Sequence, residues 1–590
     1  MSQRYISVIL PLALEWEPVY RGDESLRIGD RVSVWFSGRK YIGAVSGEVS
    51  TPDVDPGKIR DAIRPQERYE PVSEREIAYW RHLASYYLCT VGEVYKAAYP
   101  YGRLRGEEIE SRSEDRLRQR LERTREKLAV ARKDSTRERY QEDILRIEAA
   151  LSGKAYAASA PTIEATTLSK ILNPEETRPV LCSGLAPSLV PGEIAPLVAE
   201  TLTAGRSVLY LVPEIEAGAS VGEDLSRRFP GLILYHSRLS ESQRRSAGFR
   251  AREEEPVFVL GTRSALFLPF RDLGLIIVSE EQSPSFKQDS PAPRYNARDA
   301  AILLAKVHGS RLLITALTPS LESVYNASAG RYAACPFSGG AVTRCRTILI
   351  DTGAEWRKGG MKGNFSIKLL EAILGCLGKV LIVESYLRDE LLGLIPEASE
   401  KLVFGAREGM YGPDFKGVSL VASVQTDRYF SRGNFRADER ADQLLRQFSS
   451  YCSKEGSEGT FIIQTRQPRH PVLKQLAEGG DVTASLLEER QACGYPPYSR
   501  ITDVVLRDVN TARLHALAGP LAGMLRGAFP GIPVLGPESV PGDDITSIIR
   551  ILLPRDRDLK PRKEQIRRIV DTYKKDRHYA GHIHLDVDPL

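Results

Sequence analysis

Four short apolar runs constrain this chain more than any other feature. They are Ser207-Val208-Leu209-Tyr210-Leu211-Val212, Val257-Phe258-Val259-Leu260, Leu275-Ile276-Ile277-Val278 and Arg311-Leu312-Leu313-Ile314, with helical patterns between them. A strand that is apolar on both faces must be covered on both. Such runs alternating with helices therefore predict a parallel sheet packed between helices. A second unit of this kind is expected from Thr347-Ile348-Leu349-Ile350 through Lys379-Val380-Leu381-Ile382-Val383 to Thr460-Phe461-Ile462-Ile463-Gln464.

At 590 residues the chain is too long for one core, and its character changes along its length. Residues 1 to about 50 read as β. Tyr5-Ile6-Ser7-Val8-Ile9-Leu10 is one strand candidate, and Arg31–Phe36 and Tyr41–Val45 flank a hairpin signal at Ser37-Gly38-Arg39-Lys40. A helix carrying Trp80, Leu83, Tyr86 and Tyr87 follows. From 105 to 152, Leu117, Leu121 and Leu128 recur among Arg and Glu. Ser135…Glu138 resembles a capping box, and Tyr140, Ile144, Ile147 and Leu151 mark a second stripe. These predict two charged antiparallel helices, either a solvated spacer or a partner-binding coiled coil. The last hundred residues mix both patterns and read as α+β. The expected divisions are 1–104, 105–175, 176–332, 333–480 and 481–590.

Composition narrows the function classes. No run of eighteen apolar residues is present, so no membrane span and no membrane partner are expected. The opening Met1-Ser2-Gln3-Arg4-Tyr5 lacks a signal peptide's apolar core, which predicts a cytoplasmic protein. The seven cysteines form no C-x-x-C pair and read as free thiols, not as a zinc site or disulfide framework. The net charge of +5 is compatible with nucleic acid and does not argue for it alone.

Specific motifs go further. Leu260-Gly261-Thr262-Arg263-Ser264-Ala265-Leu266-Phe267 and Thr318-Pro319-Ser320-Leu321-Glu322-Ser323 are joined, in order, by Leu211-Val212-Pro213-Glu214-Ile215, Phe435-Arg436-Ala437-Asp438-Glu439-Arg440, Gly494-Tyr495-Pro496-Pro497-Tyr498-Ser499-Arg500 and Val534-Leu535-Gly536-Pro537. Gly29-Asp30-Arg31-Val32 and the closing Asp586-Val587-Asp588-Pro589 fit the same set. Together they resemble the PriA (primosomal protein N′) family of replication restart helicases, everywhere except 105–175. The resemblance implies a 3′-DNA-end-binding β domain at 1–104. It also implies two RecA-like lobes of superfamily-two helicase type at 176–332 and 333–480, and an α+β domain at 481–590. The charged hairpin stands where the family has a winged helix.

The motor chemistry departs from that family. Its G-x-T-G-S-G-K-T loop aligns with Gly184-Leu185-Ala186-Pro187-Ser188-Leu189-Val190-Pro191. A phosphate loop needs backbone N–H groups, a lysine for the phosphates and a hydroxyl for Mg²⁺. Gly184 and Ser188 survive as a vestigial nucleotide site, whereas Val190 replaces the lysine and Pro191 the hydroxyl. The family's D-E-E-H reads Ser279-Glu280-Glu281-Gln282, which keeps the water-polarising Glu280 and loses the metal-binding aspartate. Its G-T-Q-M-x-x-K-G-x-D-F becomes Gly405 to Phe415, and Tyr451 replaces the arginine that stabilises transition-state charge. The zinc ribbon would fall between Tyr386 and Leu402, a short stretch without cysteine. ATP, Mg²⁺ and zinc are thus implied by the resemblance and not expected here, and no catalytic residue is assigned.

For DNA, the family's aromatic-acidic-aromatic run reads Trp16-Glu17-Pro18. It implies stacking by Trp16, a 3′-hydroxyl accepted by Glu17, a phosphate at Arg60, and further contacts at Gly38, Thr262 and Arg263. Two readings stand: these contacts, or Trp16 as core, Arg60 as solvated charge and the Thr262-Arg263 turn as structure. The basic run Arg550 to Arg577 is either a solvated helix or a phosphate-binding face. The expected function is recognition of forks bearing a 3′ end and scaffolding of primosome and helicase-loading proteins, without a motor. The alternatives are a working ATP-dependent 3′-to-5′ helicase and a protein-binding pseudo-helicase that no longer binds DNA.

Overall fold

The computed structural model describes residues 4–52, 55–65, 69–100, 176–337, 345–405, 418–430, 434–454, 457–540, 542–577 and 582–590, with scattered positions between 118 and 168. Most of the predicted hairpin of 105–152 and most of the Gly405–Phe415 motif lie outside them.

The N-terminal strands form an antiparallel sheet in the order Val19–Gly22, Arg4–Ile9, Arg39–Val49, Arg31–Phe36. Ser37 and Gly38 make the expected hairpin turn, both at positive φ. Helices Glu74–Tyr87 and Val91–Ala98 follow. Each starts at a full capping box, Ser73 with Glu76 and Thr90 with Glu93. Such a box satisfies two N–H groups that a helix start leaves unpaired. Trp80, Leu83 and Tyr87 of the first helix enter the same buried cluster as Phe270, Tyr295 and Leu304 of the next domain. The Tyr87 hydroxyl also accepts from the Asn296 N–H at 3.0 Å. The β domain therefore shares a core with its neighbour.

That neighbour is a seven-stranded, wholly parallel RecA-like sheet. Its order is Ala333–Pro336, Val180–Ser183, Arg311–Ala316, Leu273–Ser279, Ser207–Leu211, Phe258–Gly261, Ile233–Tyr235. The four predicted runs occupy its centre. The sheet also takes in Ala333–Pro336, past the boundary expected at 332, because that strand pairs with Val180–Ser183. The second lobe has five parallel strands in the order Arg346–Asp351, Thr460–Thr465, Val418–Ser423, Lys379–Ile382, Leu402–Phe404. The C-terminal domain is α+β: an antiparallel four-stranded sheet whose core is shared with helices Thr511–Ala528 and Leu559–Arg577. Among the described residues, no helix is long and apolar enough to cross a membrane.

Candidate functional site

The strand-turn-helix that carries a phosphate loop in such lobes is present as backbone. Strand Val180–Ser183 leads through Gly184 into helix Val190–Thr203. Gly184 adopts φ +83°, but its N–H is already donated to the carbonyls of Ala316 and Leu317, at 3.0 and 3.2 Å. Ser188 is exposed in the following turn. Val190 is only 1% exposed and belongs to the apolar cluster of Val180, Leu185 and Ile194. Pro191 is buried beside it and supplies no N–H. These groups do not fit a Mg²⁺-bound triphosphate: the cation, the hydroxyl and the glycine's donor are replaced, buried or already spent.

Across the cleft the acidic box is tied into protein. Ser279 is buried at the end of its strand. Glu280 sits at φ +55° and accepts from Gln447 Nε2 of the second lobe at 3.2 Å. Tyr451 caps helix Ala437–Ser450, and its phenol is pushed up by burial and by the nearby Glu280 charge. Glu281 accepts from the Ser320 N–H at 2.7 Å, the Ser320 hydroxyl at 3.0 Å and Arg298 Nη1 at 2.8 Å.

A buried network then joins the lobes, and sequence reasoning did not foresee it. Arg436 of the second lobe pairs with Glu322 of the first at 2.7 Å. Glu439 accepts from the Leu321 N–H at 2.9 Å and from Arg490 at 3.0 Å, and Arg490 lies on the helix leading to the C-terminal domain. Phe435 stacks on Tyr495 with ring centroids 4.5 Å apart. Burial pushes the Glu322 carboxyl up, but Arg436, its hydrogen bond and Arg298 outweigh that and hold it well below the usual range. Buried charges persist only when paired in this way. The motifs containing Glu322, Arg436 and Glu439 were legible as family marks. That they meet was not, since more than a hundred residues separate Glu322 from Arg436.

The β domain presents a different site. Trp16 is 62% exposed, which removes the core reading for it. Glu17 beside it is fixed by Arg81, whose Nη2 lies 3.1 Å from both carboxylate oxygens, and by the Ser46 hydroxyl. Both residues border a cleft of about 420 Å³. The cleft's far wall carries Arg567, Arg568 and Asp571 of helix Leu559–Arg577, and Arg567 pairs with Glu15. That volume lies within the usual range for ligand pockets, about 300–1,000 Å³. Pro18 stands just before strand Val19–Gly22, its carbonyl accepting from the Val8 N–H at 3.0 Å. Arg60 is exposed on the adjoining segment, and Gly38 stands free at the hairpin tip. Arg81 was missed because it lies 64 residues from Glu17.

Thr262 and Arg263 sit at the end of strand Phe258–Gly261. Arg263 Nη1 donates to the Ser285 and Lys287 carbonyls at 2.7 and 3.1 Å, and its own carbonyl accepts from the Tyr295 hydroxyl at 3.1 Å. These bonds account for Arg263 as a brace of the fold. Among the described residues, no cluster of three metal-ligating side chains occurs.

Residues 7–100 match the family model described as the PriA 3′DNA-binding domain (3′BD). The replication restart protein PriA of Haemophilus influenzae is 26% identical, over 84% of this chain and 86% of that protein. The Treponema pallidum protein of the same name is 24% identical, over 95% of each. Among solved structures, S. cerevisiae Dbp5 bound to RNA and ADP BeF3 aligns at 12% identity and a TM-score of 0.34, covering 60% of this chain and 90% of that one.

Proposed function

The chain belongs to the PriA family, and from that premise we propose that it recognises stalled or abandoned replication forks by their 3′ end and supports replication restart without a motor of its own. Trp16 stacks on the terminal base and Glu17 accepts from its 3′-hydroxyl. Arg60 meets a nearby phosphate, and Gly38 and Thr262 lie along the strand's path. The protein then serves, in the cytoplasm, as a platform for the primosome proteins that reload the replicative helicase.

The observation that carries this reading is Trp16. An indole left 62% exposed beside a fixed carboxylate, at the mouth of a cleft, is arranged for a ligand and not for a core. The absence of turnover is supported by Val190, which is folded into the lobe's apolar cluster where the family's lysine would meet phosphates. With the metal ligand and the transition-state arginine replaced as well, no surviving group carries the chemistry.

Fluorescence anisotropy on two forks tests the proposal, one with a free 3′ end and one with that hydroxyl blocked. Tighter binding of the free end is expected. Equal binding of both, or none, contradicts end recognition.

A further inference from the structure

At the junction of the β domain with the first lobe lies a second pocket, of about 70 Å³. Arg31 enters it from strand Arg31–Phe36, and Arg252 from the end of helix Glu241–Arg252. Arg31 is 5% exposed and pairs with no carboxylate among the described residues. Its guanidinium lies 4.2 Å from the Tyr99 ring centroid and 5.1 Å from that of Tyr95, and it donates to the Tyr95 hydroxyl. Arg252 donates to the Tyr99 hydroxyl and the Pro71 carbonyl, both at 2.5 Å, with Glu76 3.7 Å away. The Nε atoms of Arg31 and Arg252 are both buried without a hydrogen-bond partner. Arg244 and Arg245 line the same pocket, and Arg245 pairs with its one lining carboxylate, Glu241.

A buried guanidinium costs several kcal/mol unless an anion accompanies it, and an aromatic face offsets only about 2 kcal/mol of that; Arg252 has Glu76 beside it, whereas Arg31 has no such partner among the described residues. The pocket's remaining wall is apolar and includes Phe267 and Leu268, directly continuous with the Thr262-Arg263 turn. We propose that this Arg31–Arg252 pocket seats a backbone phosphate of the fork's DNA, at a site distinct from the 3′-end cleft. The inference rests on the fork-binding reading. Arg252, with 19% of its side chain exposed, makes the charged contact. Arg31 supplies the field from behind it and holds the Tyr99 ring.

The test is the salt dependence of fork binding by the full chain. The slope of log K against log[salt] carries about 0.9 per phosphate neutralised. Arg252→Gln is expected to weaken binding roughly tenfold at low salt and to lower the slope by about 0.9. Arg252→Lys keeps the slope while losing part of the affinity, and thermal melts confirm that both variants fold. If the wild type binds forks and Arg252→Gln leaves slope and affinity unchanged, the phosphate site is wrong and the fork reading stands. If the wild type binds no fork, the fork reading fails and ³¹P line broadening of inorganic phosphate decides the pocket. Broadening lost in Arg252→Gln would make it a free-anion site, overturning the DNA assignment, and no broadening would remove the site altogether.

Discussion

Single residues decide what each site can hold. Val190 shows this most sharply, because restoring the family's lysine there would not restore a motor. The position is 1% exposed, and the Gly184 N–H is already bonded to carbonyl oxygens. Val190→Lys is therefore expected to lower stability by several kcal/mol, the scale of an unpaired buried cation, while nucleotide binding by calorimetry stays undetectable. Trp16→Ala is expected to weaken binding of a free 3′ end by about 1–3 kcal/mol, the worth of one base stacked on an aromatic ring, and to leave the blocked fork unaffected. Two histidines set a pH limit. Burial, then Arg75 and Arg206 with Asp272 opposing, pushes His308 down to about 4. Burial, then Arg294 and its basic neighbours, does the same to His584. An unfolded histidine takes its proton near pH 6.5, so between about 6.5 and about 4 the unfolded chain binds more protons. Stability is therefore expected to fall as pH drops through that window. Urea melts at pH 7, 5.5 and 4.5 check this, and a flat profile would show that neither histidine is held neutral.

At the scale of elements, the lobes are joined by ion pairs that belong to three domains. Arg436 meets Glu322, and Glu439 meets both the Leu321 backbone and Arg490. Removing one partner leaves an uncompensated buried charge. Arg436→Ala is accordingly expected to cost about 3–5 kcal/mol by urea denaturation, whereas an apolar replacement of both Arg436 and Glu322 costs much less. Legibility in the sequence also divides at this scale. Central strands such as Leu273–Ser279 were visible because burial on both faces leaves an unbroken apolar run. Edge strands were not: Ile233–Tyr235 is only three residues long, and Ala333–Pro336 ends in proline, so neither carries that signature. The Glu17–Arg81 bond and the inter-lobe pairs escaped for a different reason. A charged side chain reads alike whether solvated or paired, and only the fold brings distant partners together. Motif spelling, set beside the family's, implies replacements at 190, 191, 279 and 451. It did not reveal that Val190 had become part of the core.

The whole molecule combines a docked N-terminal β domain with two lobes joined by buried ion pairs. Helix Glu74–Tyr87 shares one core with the first lobe, and Lys287 of that lobe reaches Asp586 of the C-terminal sheet at 2.6 Å. On the proposed reading, this build holds a fork in one geometry and does not cycle between two. The most direct test is phosphate release from Mg²⁺-ATP at saturating forked DNA, read in the same samples as fork binding. The account predicts a bound fork with release no faster than in the protein-free blank. Fork-stimulated release from the purified wild-type chain, abolished by a non-hydrolysable nucleotide, would contradict it.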